Sequence, residues 1–359
     1  MVEALGLDFG TSNCTVAIYD SKKGVVKTLP ISNHKESKKK NLANQSLFPS
    51  KIGLTDDFEY VFGAETDRCS RDFVWDNSKR LLEHNTPIYR GGTHKKPIWV
   101  AIGIISGIFK QLKDLSIKTT TPMVITVPAN SYSIQRSLTR LSAETLGFKV
   151  NQLVSEPCAA ALACYEHIEK LKYVLVVDVG GGTTDIALLE NNFGIIKEIS
   201  IEGLKRFGGL NLDQKLFNFY KDKFDVSTDS EQLLLRDLLE DVKIELSSKK
   251  KTKLIFKDTS IEVERSVIQK LIEKDLVSLQ KAIDRVTKKG NIEPKNIEAV
   301  LPIGGSSNIP AIREVLKKKF KTKLINLSFD ESITAVAKGA ALGSAINSKI
   351  LDDLDFKQC

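Results

Sequence analysis

Three consecutive glycines between two aspartates form the stretch best suited to bind a ligand, Asp178-Val-Gly-Gly-Gly-Thr-Thr-Asp-Ile-Ala-Leu-Leu-Glu190. The apolar run Tyr173–Val177 predicts a buried strand before the glycines, and the apolar residues from Ile186 predict a second strand that returns as a hairpin. Backbone N–H groups in such a turn suit a phosphate. The carboxylates of Asp178 and Asp185 suit a hard cation such as Mg2+. A Gly-rich turn without a ligand is the alternative, because such turns are common.

A second copy of this pattern lies near the N-terminus, Asp8-Phe-Gly-Thr-Ser-Asn-Cys-Thr-Val-Ala-Ile-Tyr-Asp20. It too has an apolar strand, Leu5–Leu7, then an aspartate, a glycine two residues later and another apolar strand. Later elements repeat as well, namely small-residue helices at Glu156–Ala163 and Asp330–Ala341 and apolar strands ending in a sharp turn at 124–128 and 300–305. This repetition predicts a duplicated domain whose two hairpins face one polyphosphate across a cleft.

Taken in order, these stretches resemble the nucleotide-binding domain of Hsp70 chaperones, in the actin-like ATPase superfamily. The resemblance spans nearly the whole chain and includes the segments 5–18, Asp76–Arg80, Val124–Asn130, Ser155–Ala161, 174–188, Phe207–Asp213, Glu240–Ser247, Ile303–Pro310 and Asp330–Leu342. It implies an α/β fold of two actin-like (RNase H-like) lobes, each with a mixed five-stranded sheet, and a nucleotide in the cleft between them.

The resemblance also implies a division of the chain. Lobe I covers 1–170 with a small subdomain inserted at about 33–97, and lobe II covers 171–350 with an insertion at about 212–289. The remaining residues, 351–359, are a tail or the remnant of a linker. Because no β-rich substrate-binding domain follows, we expect either a truncated domain or a short Hsp70-like protein that works through partners.

The resemblance implies a site for Mg·ATP with four catalytic residues. Lys79 would stabilise the transferring phosphoryl group, Glu156 would help to position the Mg2+ water shell, and Thr183 with Asp185 would orient the attacking water. The implied metal-binding residues, acting through water, are Asp8 and Asp178, and the implied nucleotide-binding residues are Gly10, Thr11, Ser12, Asn13, Gly180, Gly181, Gly182, Thr183, Gly208, Gly209, Glu240, Lys243, Ser247, Gly304, Gly305, Ser306 and Asp330. Taken alone, Lys79 would be a surface lysine, and Glu240 with Lys243 a solvated pair on one helix face.

Two positions depart from the family pattern. Hsp70 proteins usually stack adenine between two arginines, but the corresponding positions here hold Ile244 and Asn308. Each lost cation–π contact removes roughly 0.5–2 kcal/mol. Phosphate recognition depends instead on charge-assisted hydrogen bonds. We therefore expect nucleotide binding to persist but to be weaker, with poorer selection for adenine.

Composition indicates an ordinary globular chain of 359 residues with a formal charge of +8. It contains no apolar run of the ~18–20 residues that a membrane span needs, and no signal peptide is evident. The five cysteines are odd in number and lack a CxxC pair, so we expect reduced thiols, no zinc site and a cytoplasmic location. Cys14, in the first hairpin, is either a redox-sensitive thiol or a small buried apolar residue.

Lysines concentrate in three runs, at 35–40, 249–253 and 317–323. Such runs are usually solvated surfaces, and the functional alternative is a ribosome, RNA or acidic-partner surface. No aromatic residues interleave with the lysines at the spacing of an RNA-binding platform, so we expect no sequence-specific nucleic-acid binding.

Two functions remain in view. The first is an Hsp70-like module that binds Mg·ATP, hydrolyses it slowly and uses lobe closure to regulate a chaperone partner or domain, with a J-domain co-chaperone or a nucleotide-exchange factor as partners. The second is a non-hydrolysing, ATP-bound scaffold, for example a ribosome-associated Hsp70-like protein that stabilises a J-domain partner. A sugar or glycerol kinase fits less well, because such kinases need an acceptor-binding carboxylate in a large first lobe and the sequence has no such insertion. A filament-forming actin relative fits less well, because the motifs at Glu156–Ala161 and Asp330–Ala341 are closer to Hsp70.

Overall fold

A computed structural model describes residues 3–33, 45–192 and 194–351. Its strands are β1 Glu3–Asp8, β2 Asn13–Asp20, β3 Val25–Thr28, β4 Phe48–Pro49, β5 Ile52–Leu54, β6 Tyr60–Phe62, β7 Val74–Trp75, β8 Ile88–Arg90, β9 Thr93–Lys95, β10 Met123–Val127, β11 Val150–Ser155, β12 Tyr173–Val179, β13 Thr184–Asn192, β14 Ile195–Leu204, β15 Lys251–Phe256, β16 Thr259–Glu264 and β17 Ala299–Ile303. Its α-helices are α1 Ser78–Leu81, α2 Pro97–Asp114, α3 Ser133–Glu144, α4 Glu156–Ala163, α5 Tyr165–Ile168, α6 Gly209–Tyr220, α7 Asp229–Ser248, α8 Arg265–Leu271, α9 Glu273–Lys289, α10 Pro310–Phe320 and α11 Phe329–Asn347. The predicted α/β class is confirmed.

The chain separates into two compact units. Unit 1 contains the described residues up to Val174, then Leu189–Ile199 and those from Asp330 onward, and unit 2 contains Leu175–Leu188 and Ser200–Phe329. The lobe limits drawn from the sequence, 1–170 and 171–350, stay a prediction.

Unit 1 is built on a sheet of strand order β11-β10-β1-β2-β3, with the short β4 paired to β2. β1 and β2 form the predicted hairpin and pair antiparallel as far as Asp8 and Thr15. β10 pairs parallel with both β1 and β11, so the carboxyl ends of these three strands share one edge. That edge is where Asp8, Thr126 and Ser155 emerge.

The small-residue helices of unit 1 touch backbone to backbone, as their composition predicts. A Cβ built on Gly339 of α11 would lie 1.6 Å from the carbonyl oxygen of Ala159 in α4. A Cβ on Gly6 of β1 would lie 2.2 Å from the amide nitrogen of Ala341. Only glycine permits approaches this close, so α11 holds both the sheet and the helix that begins at Glu156.

Unit 2 contains the sheet β14-β13-β12-β17, in which β12 and β13 form the second predicted hairpin. Within the described residues this sheet has four strands, so the expectation of five is wrong. At the place of a fifth strand, the chain makes only an isolated parallel bridge between Val300 and Leu324. The preceding Lys321 has a left-handed φ of 53°, and α11 begins at Phe329, so little extended chain separates the turn from the helix.

Unit 2 also contains an antiparallel β-hairpin formed by β15 and β16, paired from Lys251 with Glu264 to Phe256 with Thr259. The helix α7 starts with a capping box, in which the Thr228 hydroxyl accepts from the Glu231 amide. Such a cap stabilises a helix by about 1 kcal/mol. This helix carries three of the predicted nucleotide-binding residues, Glu240, Lys243 and Ser247.

The described residues also bear on membrane-spanning helices and on the state of the cysteines. None of its helices combines the length and apolar character needed to cross a bilayer. Its four cysteines are free thiols, and Cys359 lies outside the described residues.

Candidate functional site

The first hairpin is a tight turn that Ser50 fixes in place. A Cβ on Gly10 would lie 2.0 Å from the carbonyl oxygen of Asn13, so the turn requires glycine. The Ser50 hydroxyl donates to the Gly10 carbonyl oxygen at 2.8 Å, and the Ser50 amide donates to the Ser12 carbonyl oxygen at 2.8 Å. Sequence reasoning missed Ser50, and its only signal was its position at the end of the apolar Leu47-Phe-Pro segment.

The side chain of Ser12 is the one buried hydroxyl without a hydrogen-bond partner among the residues that the structure describes. Burying a hydroxyl without a partner costs about 1–3 kcal/mol. Thr11 is half-buried and Asn13 is exposed in the same turn. The turn therefore keeps one polar group available for a ligand.

Cys14 follows the turn and is fully buried, which confirms its interpretation as a small packed residue. Its Sγ lies 3.3 Å from the Ser50 Oγ. Burial raises the pKa of the Cys14 thiol to about 12. The thiolate that oxidation chemistry needs is therefore scarce at neutral pH.

Asp8 enters the turn from β1 and is partly accessible. Burial of its carboxylate raises its pKa to about 7. The positive charge of Lys79 and a hydrogen bond from Thr126, at 3.3 Å, act in the opposite direction, whereas the charge of Glu156 raises the pKa further. Asp8 thus lies in one electrostatic environment with two of the predicted catalytic residues.

Lys79 and Glu156 form a buried ion pair. Their side chains are separated by 77 positions in sequence, yet Lys79 Nζ lies 2.5 Å from Glu156 Oε1 and each residue is only 6% exposed. Lys79 belongs to the single-turn helix α1, and the Gln135 side chain donates to its carbonyl oxygen at 2.9 Å. Glu156 is the first residue of α4, after the N-cap Ser155. The structure therefore brings together Asp8, Lys79 and Glu156.

The second hairpin is fixed through its carbonyl groups. The Gly180 carbonyl oxygen accepts from the Gly209 amide and the Ser306 hydroxyl, both at 3.0 Å. The Gly181 carbonyl oxygen accepts from the Leu210 amide at 2.7 Å. Because the start of α6 supplies two of these donors, the predicted residues Gly208 and Gly209 support the loop of Gly180–Thr183.

The polar side chains of the second hairpin are also ordered. Thr183 Oγ1 lies 3.2 Å from Asp185 Oδ2 and donates to it. Gly304 has a left-handed φ of 80°, and a Cβ there would lie 2.5 Å from Asp178 Oδ1. The structure therefore brings together Asp178, the 180–183 loop and the Gly304–Ser306 turn within unit 2.

Lys243 is buried in an ion pair with Asp213, its Nζ lying 2.7 and 2.8 Å from the two carboxylate oxygens. Both residues are 8% exposed. Burial raises the pKa of Asp213 to about 6, against the lowering effect of Lys243. The exposed Glu240 lies 3.6 Å from Lys243 Nζ. Sequence reasoning missed Asp213 as a partner, and its signal was an acidic residue within the apolar pattern of α6.

The two positions that depart from the family pattern have different environments. Ile244 is 47% exposed. Asn308 is half-buried, and its side-chain oxygen accepts from Arg313 at 2.8 Å. Ser247 lies one turn beyond Lys243 on α7, and Asp330 lies in the first turn of α11 in unit 1.

The described residues were also compared with the side-chain clusters that bind metal ions directly. Across residues 3–33, 45–192 and 194–351, no group of three or more His, Cys, Asp or Glu side chains is arranged to hold a metal ion.

Comparisons with known proteins agree on one family. The sequence model of the Hsp70 protein family matches residues 86–357, about three quarters of the chain. The chain is 28% identical over 365 residues to the chaperone protein DnaK of Thermosipho melanesiensis, covering 95% of this chain and 59% of that protein. It is 27% identical over 374 residues to the chaperone protein DnaK of Mycoplasmopsis pulmonis, covering 98% and 60%. The chain thus spans about 60% of the length of these relatives. It belongs to the Hsp70 family.

Proposed function

We propose that this chain is an Hsp70-type module that binds Mg·ATP and hydrolyses it slowly, and that its nucleotide state regulates a chaperone partner or domain. Family membership supports nucleotide binding in general. The two hairpins support phosphate as the recognised group, since each is a glycine turn fixed from behind. Slow hydrolysis and partner regulation are inferences from the residues that accompany the hairpins.

The observation that carries the proposal is the buried Lys79–Glu156 pair beside Asp8. Burying charged groups is costly, and such a pair is weak support for stability alone. Clusters of this kind concentrate at functional sites, where charges are arranged for chemistry. In our proposal the Lys79 ammonium stabilises negative charge on the phosphoryl group. Glu156 holds the ammonium at a fixed position through a 2.5 Å contact.

The residues present fit Mg·ATP. The Ser12 hydroxyl is buried without a protein partner among the described residues, which suits a phosphate oxygen. Asp8 and Asp178 offer the oxygen ligands and water acceptors that Mg2+ prefers. When bound, Mg2+ would neutralise phosphate charge, and ATP would supply the phosphoryl group that is transferred. A cation near Asp8 would also favour its ionised form, offsetting the burial that raises its pKa.

Thr183 and Asp185 are proposed to orient the attacking water. The Thr183 hydroxyl donates a hydrogen bond to the Asp185 carboxylate, so the hydroxyl oxygen can still accept a hydrogen bond from water. This arrangement positions a nucleophile without covalent chemistry by the protein. Lys243, Glu240 and Ser247 are proposed to contact the ribose and base from α7.

The proposed partners follow the family, namely a J-domain co-chaperone or a nucleotide-exchange factor. A ribosome surface receives less support from the lysine runs. Lys251 pairs with Glu262 and Glu264 at 2.9 and 3.0 Å, and Lys319 pairs with Asp284. Two lysines of these runs are thus paired with acidic side chains of unit 2. The run at 35–40 lies outside the described residues.

Single-turnover hydrolysis of radiolabelled Mg·ATP tests the proposal. We expect slow turnover by the wild type and its near-complete loss in Lys79→Met and Thr183→Ala, while both variants retain binding. Lys253→Met and Thr145→Ala replace exposed or surface side chains and serve as matched controls with unchanged turnover. Tight ATP binding without turnover in the wild type would reject the ATPase and favour the scaffold that keeps ATP as a structural cofactor.

A further inference from the structure

Glu198 is a half-buried acidic residue to which the proposed mechanism gives no role. It lies on β14, in the part of that strand that belongs to unit 1. Its Oε1 accepts from the Ser155 hydroxyl at 2.5 Å and from the Cys158 thiol at 3.7 Å. Among the described residues, no lysine or arginine forms an ion pair with Glu198. The carboxylate of Glu198 therefore bonds to the start of α4 rather than to a cation.

Ser155 is the residue through which Glu198 contacts this helix. Ser155 is the N-cap of α4, and its Oγ accepts from the Cys158 amide at 3.4 Å. A hydroxyl has a single proton to donate, and because Glu198 accepts that donation, the Ser155 oxygen remains free to accept from the helix amide. An N-cap serine stabilises the start of a helix by bonding to an amide that has no partner within the helix. Ser155 and Cys158 are only 5% and 3% exposed, so water does not readily replace these contacts.

The residue that follows Ser155 is Glu156, which forms the buried ion pair with Lys79. Glu156 is the first residue of α4, so the position of its carboxylate depends on how the helix begins. Further along, α4 is held by its close backbone contact with α11. The helix that carries Glu156 is thus fixed at its start by Glu198 and in its middle by α11. Such support affects rates, because a displacement of about 1 Å at a reacting group can slow a reaction about 100-fold.

We infer that Glu198 is a positioning residue for ATP hydrolysis. Glu198 orients the Ser155 hydroxyl, the hydroxyl fixes the start of α4, and the start of α4 places the Glu156 carboxylate that holds Lys79. This inference rests on the proposed function, because it concerns the step that Lys79 is proposed to assist. Since Glu198 acts through Ser155, its removal should slow hydrolysis without weakening the binding of Mg·ATP.

Single-turnover hydrolysis and calorimetric binding of Mg·ATP, both measured on the intact chain, test this assignment. We expect Glu198→Ala to lower the hydrolysis rate about 10- to 100-fold and to leave the dissociation constant within about twofold of wild type. Glu198→Gln keeps an oxygen that can accept from Ser155, so it should retain most of the rate. Glu202→Ala is the matched control on the same strand, because Glu202 pairs with Arg285 and Lys289, and it should change neither quantity.

A second variant shows whether Glu198 acts through Ser155. Ser155→Ala removes the hydroxyl that Glu198 orients, so it should slow hydrolysis at unchanged Mg·ATP affinity, and it provides the test if Glu198→Ala does not fold. Adding Glu198→Ala to Ser155→Ala should cause little further loss of rate, because both changes break one chain of contacts. Rate losses that multiply in the double variant would overturn the inference, because Glu198 would then act by another route.

The remaining outcomes separate this inference from the proposed function. A wild type that binds Mg·ATP without hydrolysing it would reject the proposed ATPase and this inference with it. A wild type that hydrolyses ATP, together with a folded Glu198→Ala variant of unchanged rate, would overturn the inference alone. Parallel losses of rate and of Mg·ATP affinity in Glu198→Ala would also overturn it, because Glu198 would then support the fold or the binding site as a whole.

Discussion

Replacing Lys79 by methionine is the perturbation whose outcome the structure defines best. Methionine has a similar length but no charge, so Glu156 would remain buried without its cation. Both residues are 6% exposed, and the contact at 2.5 Å is thus poorly screened by water. Removing one partner of a buried pair costs about 3–5 kcal/mol, a large fraction of the stability of a typical domain. The pKa of Asp8 should also rise further, because the Lys79 charge lowers it.

Urea unfolding without nucleotide, at pH 7.5, measures this cost. We expect Lys79→Met to be strongly destabilising and Glu156→Gln to be destabilising as well. The double variant should lose less than the sum of the two, with a coupling of roughly 2 kcal/mol. Additive effects below about 1 kcal/mol each would show that the pair is not coupled in solution, and the argument from burial would then be incorrect.

This result also decides how the hydrolysis experiment is interpreted. A destabilised Lys79→Met variant that remains folded in the presence of Mg·ATP, yet does not hydrolyse it, supports a catalytic lysine. A variant that loses ATP binding together with its folded structure supports only a structural role. Unfolding and hydrolysis therefore have to be measured on the same preparation, at a temperature where circular dichroism shows a folded chain.

Two further predictions follow from contacts and charges in unit 1. Gly339→Ala should destabilise the chain by more than about 3 kcal/mol in thermal or urea unfolding, because its Cβ would lie 1.6 Å from the Ala159 carbonyl oxygen. In the matched control Gly343→Ala, the nearest atom is Leu162 Cδ2 at 3.7 Å, and the higher helix propensity of alanine should leave stability equal or better. Because the pKa of Asp8 is raised from 3.8 to about 7, its contribution to stability is present at low pH and is lost as the pH rises through this range. The free energy of unfolding of the wild type, minus that of Asp8→Asn, should therefore be more positive at pH 5 than at pH 8 when both are measured by urea unfolding. A difference that does not depend on pH would contradict the assigned pKa.

Features fixed by local chemistry were predictable from the sequence. The two glycine hairpins follow from aspartate, glycine and flanking apolar runs, and they occur as β1–β2 and β12–β13. The alanine- and glycine-rich composition of α4 and α11 likewise predicted helices that approach other backbone closely, which Gly339 confirms. Both signals are steric. A tight turn needs glycine at one position and a close helix contact needs small residues, so residue type alone indicates them.

Features that depend on tertiary packing were harder to predict from the sequence. The Lys79–Glu156 contact joins residues 77 positions apart, and only the family resemblance placed both in one site. Ser50 and Asp213 were missed because any serine or aspartate can bond to backbone or to lysine, and packing decides which one does. The expectation of a fifth strand in the second sheet was also wrong because tertiary packing decides it. A short extended segment becomes a strand only where it can pair with the edge of the sheet along its length.

The two hairpins share a sequence pattern but are stabilised by different interactions. The first lies beside buried charges, Asp8 and the Lys79–Glu156 pair, so its electrostatics change with pH near neutrality. The second is tied by neutral hydrogen bonds, from Gly209 and Ser306 to the Gly180 carbonyl oxygen, which do not titrate. Loss of Mg2+-dependent polyphosphate affinity on acidification should therefore originate at the first hairpin. Because protonated Asp8 cannot attract a cation but also no longer repels an anion, that loss should occur for Mg2+-bound polyphosphate and be absent for metal-free polyphosphate.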